Sequence, residues 1–247
     1  MDYKDSHAEI TTIDYVPIGE KSISKSFVSN VFMLMFLALG VSALFAWQFS
    51  ANENLMTYMI TDTGMTGLGK IVMFSPLVFV LIMSFAFQRL SATALMGIFL
   101  AYAMVNGIAF SFILAAFTPG SVLGCFLSAA AMFGIMAVMG YTTDKDLTSF
   151  GRIMKMGVIG ILIAIVINFF LNSSQLDYII SIIGVLIFTG LTAYDVQKLK
   201  RIGEGIQADG STIAANTRKL SIMGALTLYL DFINIFLFLL RMAGNRK

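Results

Sequence analysis

Two carboxylates stand where carboxylates are seldom tolerated. Asp195, in Thr-Ala-Tyr-Asp-Val-Gln at 192–197, and Asp231, in Leu-Tyr-Leu-Asp-Phe-Ile-Asn at 228–234, both lie inside long apolar runs. A carboxylate at bilayer depth costs ~2.5–3.5 kcal/mol on insertion scales, so a chain that keeps two of them has a use for them. Their runs are consecutive and therefore antiparallel neighbours, and both Asp fall in the half nearer the basic gap between the runs. Two carboxyls brought within hydrogen-bonding distance there would share a proton, because like charges out of water repel; a shared proton is a pH sensor. Each Asp also suits a plainer use, capping or hydrogen-bonding a neighbouring helix. Arg89, in Phe-Gln-Arg-Leu at 87–90, closes an earlier run at the same end. Its long stem can reach into the membrane and tie a carboxylate by a charge-assisted, bidentate bond, or serve simply as an interfacial anchor.

Other candidate chemistry falls away on inspection. Gly-Met-Thr-Gly-Leu-Gly-Lys at 64–70 imitates the start of a phosphate-binding loop, but Ile71 replaces the hydroxyl residue that would hold magnesium, and no strand is expected before it. His7 is the only histidine and Cys125 the only cysteine, the latter within an apolar run, so disulfide frameworks and Cys- or His-based metal sites are excluded. Basic residues are scattered through short gaps, which leaves no basic face for nucleic acid.

The elements that position the pair are membrane helices. Of 247 residues 58% are hydrophobic and only 12% charged, with a mean hydropathy of +0.86; a soluble domain carries about twice that charge. Seven runs approach the ~20 residues needed to cross a bilayer, at about 27–48, 71–87, 92–117, 122–141, 153–171, 178–199 and 220–240. Most separators are short turns such as Thr118-Pro119-Gly120, so an up-and-down bundle follows. The expected organisation is an N-terminal tail at 1–26, an all-α integral membrane domain of seven transmembrane helices at 27–243, and a short C-terminal tail at 244–247. Twelve of the 16 Lys and Arg fall on the N-terminal side of these crossings, which predicts a cytoplasmic N-terminus. Arg241, Arg246 and Lys247 dissent, and a re-entrant seventh segment carrying Asp231 and Asn234 is the alternative to a full crossing.

Three stretches together resemble the Bax-inhibitor family of membrane proteins, also called TMBIM, and its bacterial branch in particular: Leu-Tyr-Leu-Asp-Phe-Ile-Asn-Ile-Phe at 228–236, Ala-Tyr-Asp-Val-Gln at 193–197, and Gly-Tyr-Thr-Thr-Asp-Lys-Asp-Leu at 140–147. The resemblance spans about 27–243. It implies a seven-helix bundle with the last helix central, and a pH-gated calcium leak in an inner (plasma) membrane. It places the family's aspartate pair on Asp195 and Asp231 and its latching arginine on Arg89. Where the family often has Asp-Thr-Gln this chain has Asp-Val-Gln, which removes one hydroxyl beside the carboxylate.

The expected activity is therefore a passive leak and not an enzyme, with no cofactor beyond calcium as the transported ion. Calcium takes six to eight oxygen ligands, so two carboxyls offer it only a weak, transient site. The expected partners are the lipid bilayer, calcium and protons, and a membrane-protein partner through the N-terminal tail. Two other readings fit the residues: a non-conducting regulator that binds membrane proteases or stress proteins, and a proton-coupled transporter of a small solute.

The charge bias of the first six segments outweighs the basic tail, so the C-terminus is predicted on the outer side. A reporter fused after Lys247 that is active only in the periplasm should give signal; signal confined to a cytoplasm-active reporter would establish the re-entrant segment instead.

Overall fold

The computed structural model describes residues 20–61, 64–209 and 214–247. The tail expected to bind a protein partner, with His7, lies outside the described residues up to position 19. Among the described residues eight helices run in order: α1 (Glu20–Ala51), α2 (Glu53–Thr57), α3 (Gly67–Ala86), α4 (Ala92–Ala116), α5 (Pro119–Thr142), α6 (Thr148–Leu171), α7 (Ser174–Asp209) and α8 (Ala214–Ala243). All but the short α2 are long and apolar enough to cross a membrane, so the seven expected spans are present. Several helices extend beyond their apolar runs. α7 continues ten residues past the expected 199, and at ~1.5 Å per residue its 36 residues measure about 54 Å against a ~30 Å hydrocarbon core.

The segment that imitates a phosphate loop has structural employment. Ile60–Thr61 and Gly64–Met65 form a two-strand hairpin, β1–β2, which corrects the expectation of no strand. Gly64 takes a positive φ of 118° in its turn, and Thr66 caps α3 by accepting from the Gly69 N–H at 3.0 Å. A Cβ on Gly69 would collide with the Met59 carbonyl oxygen.

Burial separates the helices that face protein from those that face lipid. On α1 the buried residues Val31, Met35, Ala38, Ser42 and Ala46 recur every three or four positions, and on α5 Cys125, Ala129, Phe133 and Ala137 do the same. Each is a single stripe, the signature of a helix with one covered face. α6 buries little, and 72% of the apolar stretch of α8 is buried against 6% for α6. α8 packs on α1, α4, α5 and α7; α7 packs on α1, α5, α6 and α8; α3 packs substantially on α4 alone.

α8 is one unbroken helix of 30 residues, about 45 Å, and passes from the 210–213 end to the α4–α5 turn. There the tail is clipped: Thr118 N–H donates to the Asn245 carbonyl and Lys247 N–H to the Ala116 carbonyl, both at 3.0 Å. A re-entrant segment would turn back before reaching that end.

Glycines set the closest approaches. At Gly140 a Cβ would meet the Ala193 carbonyl oxygen, and at Gly151 it would meet the Tyr194 ring, so α5 and α6 both close on α7 beside Asp195. Gly140→Ala should therefore lower the melting temperature in detergent, since overpacking costs about 1–3 kcal/mol and outweighs the ~1 kcal/mol by which Ala favours a helix. Gly134→Ala, which meets nothing within 4 Å, should leave it unchanged or raise it. Equal shifts in both variants would show that close approach is not what Gly140 supplies.

Candidate functional site

Asp195 and Asp231 come from α7 and α8, the helices joined through 210–213. Asp195 lies 14 residues before the end of α7 and Asp231 17 residues after the start of α8, so at ~1.5 Å per residue the two stand at about 21 and 25 Å from that connection. Helical rise alone thus sets them level. Their carboxyls are close enough to interact, with Asp195 6% and Asp231 4% exposed. Carboxylate oxygens carry only lone pairs, so a hydrogen bond between two carboxyls requires a proton on one of them. Asp231 Oδ2 is buried with no hydrogen-bond partner among the described residues. Two carboxyls are the whole of this acidic cluster; no group of three or more His, Cys, Asp or Glu gathers anywhere among the described residues.

The cations whose charge reaches the pair are Lys155 of α6 and Lys198 of α7. Lys155 Nζ sits 4.7 Å from the centre of the Tyr194 ring, which places it beside Asp195 through a cation–π contact. Arg89 is exposed in the turn between α3 and α4 and makes no ion pair among the described residues. The structure thus brings two of the three expected site residues together and leaves Arg89 apart. In the sequence Lys155 reads only as one more positive charge of the inner side, because it lies near the start of an apolar run and its place beside Asp195 depends on the packing of α6 on α7.

A clip holds the end of α7 that carries Asp195. Buried Gln197 accepts from the Leu147 N–H at 2.9 Å and donates through Nε2 to the Lys145 carbonyl at 2.7 Å, so the 143–147 loop is tied to α7 one turn or less from the pair. Arg201 adds an ion pair to Asp146 at 2.9 Å. Asp146 also accepts from the Thr148 hydroxyl at 2.6 Å and the Thr148 N–H at 2.9 Å. Those bonds, the Thr148 hydroxyl first, and then Arg201 pull the Asp146 carboxyl down to about 2. With a folded value below the ordinary ~4, its contribution is present above that range and is lost only as pH falls through about 2. The loop clip is therefore constant near neutral pH and is no sensor there.

A second polar cluster was not anticipated. Ser42 Oγ donates to the Ala103 carbonyl at 2.8 Å and lies 2.7 Å from Tyr229 Oη, so Tyr229 is the donor to Ser42. Asn106 Nδ2 donates to Tyr229 Oη at 2.9 Å and to Tyr102 Oη at 3.2 Å. All four residues are buried. Tyr229 precedes Asp231 by two positions, about 200° around α8, so the helix presents polar groups on nearly opposite faces. The only signal in the sequence was the tyrosine within 228–236.

The chain matches the family model described as inhibitor of apoptosis-promoting Bax1 over residues 24–247. It is 40% identical over 223 residues to the inner membrane protein YbhL of Escherichia coli (strain K12), covering 90% of this chain and 93% of that one. An uncharacterized protein of Borreliella burgdorferi is 38% identical over 225 residues, covering 91% and 94%. One from Deinococcus radiodurans is 37% identical over 223 residues, covering 90% and 91%.

Tyr229→Phe should destabilise the bundle by about 1–3 kcal/mol, because it leaves Ser42 and Asn106 each short of a buried partner. Ser42→Ala combined with Tyr229→Phe should cost less than the sum of the two single variants in thermal unfolding. Strict additivity would show that the hydroxyls do not act as one network.

Proposed function

The chain belongs to the Bax-inhibitor family, and from that premise we propose that it is a multi-pass inner-membrane protein that leaks calcium passively under the control of pH, with Asp195 and Asp231 as sensor and gate. The observation that carries this reading is the carboxyl pair itself: two acidic side chains in contact inside an apolar bundle, one oxygen of Asp231 without a hydrogen-bond partner among the described residues. Such a pair has two states. With a proton between the carboxyls it is a closed hydrogen-bonded unit that ties α7 to α8. With that proton gone the like charges repel, and the oxygens are free to meet either a guanidinium that latches the path or a cation moving down its gradient. Two carboxyls bind calcium weakly, which suits release on the far side better than storage.

Lys155 and Lys198 flank the pair in this arrangement and oppose the entry of a cation, so opening moves them off or screens them. Arg89 enters the proposal as a latch that engages a carboxylate when the turn between α3 and α4 rearranges. The shared name of a relative, inner membrane protein, supports the location. The basic gaps support a cytoplasmic N-terminus.

Calcium-indicator proteoliposomes test the reading from pH 6 to 8. Wild-type protein should give flux above empty vesicles that varies with pH, with a slope of at most about tenfold per unit for one shared proton. Asp195→Asn and Asp231→Asn should each flatten that profile, since neither leaves two carboxyls to share a proton, and Arg89→Ala should raise basal flux. Absence of wild-type flux throughout the range overturns the leak. Retention of the wild-type profile in both Asn variants returns the pair to structural hydrogen bonding.

A further inference from the structure

Beyond the aspartate pair, the opposite end of the bundle carries a second built feature. A groove of about 470 Å³ runs between α3, α4 and α8, lined by apolar side chains that include Met73, Ala109, Phe112 and Leu237, with Asn106 at its deep end and Arg241 and Arg246 at its rim. It exists because α3 packs on α4 and not substantially on α8, so the wedge between α3 and α8 is left for something else to fill. From Asn106 to the end of α4 at Ala116 is ten residues, about 15 Å. That is half of a ~30 Å hydrocarbon core, the depth of one leaflet.

The rim is basic and preorganised. Arg241 pairs with Asp177 at 3.4 Å, whereas Arg246 has no acidic partner among the described residues and lies over the Phe117 ring at 5.9 Å. Arg246 is held in place by the backbone bonds that clip the tail to the α4–α5 turn on either side of it. Two guanidiniums against one carboxylate leave Arg246 unpaired at the mouth of an apolar trough of leaflet depth, while the Lys247 ammonium is engaged on the Leu114 carbonyl.

We infer that this groove binds an anionic phospholipid of the leaflet on the C-terminal side, its acyl chain between α3 and α8 and its phosphate on Arg246 and Arg241. A guanidinium fork matches phosphate geometry, and the charge left over at the rim matches a headgroup of net charge −1. A zwitterionic headgroup carries its own ammonium and gains less. A free phosphate would use the rim and ignore the trough.

Thermal unfolding of the full chain in neutral detergent, with added phosphatidylglycerol, phosphatidylcholine or inorganic phosphate, tests the assignment. Phosphatidylglycerol should raise the melting temperature by about 5 °C more than phosphatidylcholine, and inorganic phosphate should do neither. Arg246→Gln should remove the preference for phosphatidylglycerol while leaving the protein folded, since its side chain is exposed. Ala109→Trp, which fills the trough and keeps both arginines, should remove the shift from both lipids. Native mass spectrometry supplies an independent readout: wild type should retain phosphatidylglycerol at least about tenfold more than Arg246→Gln. Equal response of wild type to the two lipids, a shift reproduced by inorganic phosphate, or an unchanged preference in both variants would each overturn it.

Discussion

Inside a hydrocarbon slab there is no water to satisfy a polar group, so any helix that carries polar side chains must be dressed by protein on the faces where they emerge. In this chain that helix is α8. Asp231 emerges towards α7 and is met by Asp195, while Tyr229 emerges almost opposite and is met by Ser42 of α1 and Asn106 of α4. Polar groups on two faces demand neighbours on two sides, and the packing of α8 on α1, α4, α5 and α7 answers that demand. α3 and α6 carry no comparable buried polar group, and each is left largely to the lipid.

The same logic explains what could be read from the sequence and what could not. Seven apolar runs were plain because hydropathy is a local property, and the aspartates were plain because a charge in such a run is conspicuous. Their facing followed from short-range facts alone, consecutive helices and equal rise from one connection. Helix ends were less legible. α7 runs to Asp209 through Lys198, Lys200 and Arg201 because a helix outside the bilayer needs no apolar face, so hydropathy stops before the helix does. The Ser42, Tyr102, Asn106 and Tyr229 cluster was invisible for a different reason: hydroxyls and an amide do not stand out from an apolar run, and their meeting depends on long-range packing of α1, α4 and α8. Arg89 is placed by the end of its own run, and whether its side chain meets a carboxyl on another helix depends on long-range packing that hydropathy does not record.

The basic tail, which spoke against a full seventh crossing, is absorbed by contacts that charge counting does not see. Lys247 Nζ donates to the Leu114 carbonyl at 3.0 Å, in the last turn of α4 where helix carbonyls are unpaired and the dipole is negative. Arg241 sits in the last turn of α8 and pairs with Asp177 near the start of α7. A positive-inside count treats each cation as free in its loop. Here two of the three are engaged locally, which weakens their vote on orientation.

The three stretches that first suggested a family prove to be one place in space. Gly140 lets α5 close on Ala193, the 143–147 loop is tied to Gln197, and Asp195 between them faces Asp231. A sequence separation of about 90 residues between the outermost motifs is thereby reduced to neighbouring turns of α5, α7 and α8. The consequence is mechanical. The clip at 143–147 keeps its charge state down to about pH 2, and the Gly140 and Gly151 contacts admit no larger side chain, so one side of α7 is fixed to α5 and α6. The pair works against that fixed frame. Under the proposed gating, in which the carboxyls part as a shared proton leaves, α7 is the helix that is held and α8 is the one that must give. Because Tyr229 lies two residues from Asp231 on the same rigid turn, any rotation of α8 that parts the carboxyls also strains the Ser42 and Asn106 bonds. In the proposed gating the two polar clusters would thus move as one mechanical unit, with the Ser42–Asn106–Tyr229 network setting how stiffly the pair is sprung.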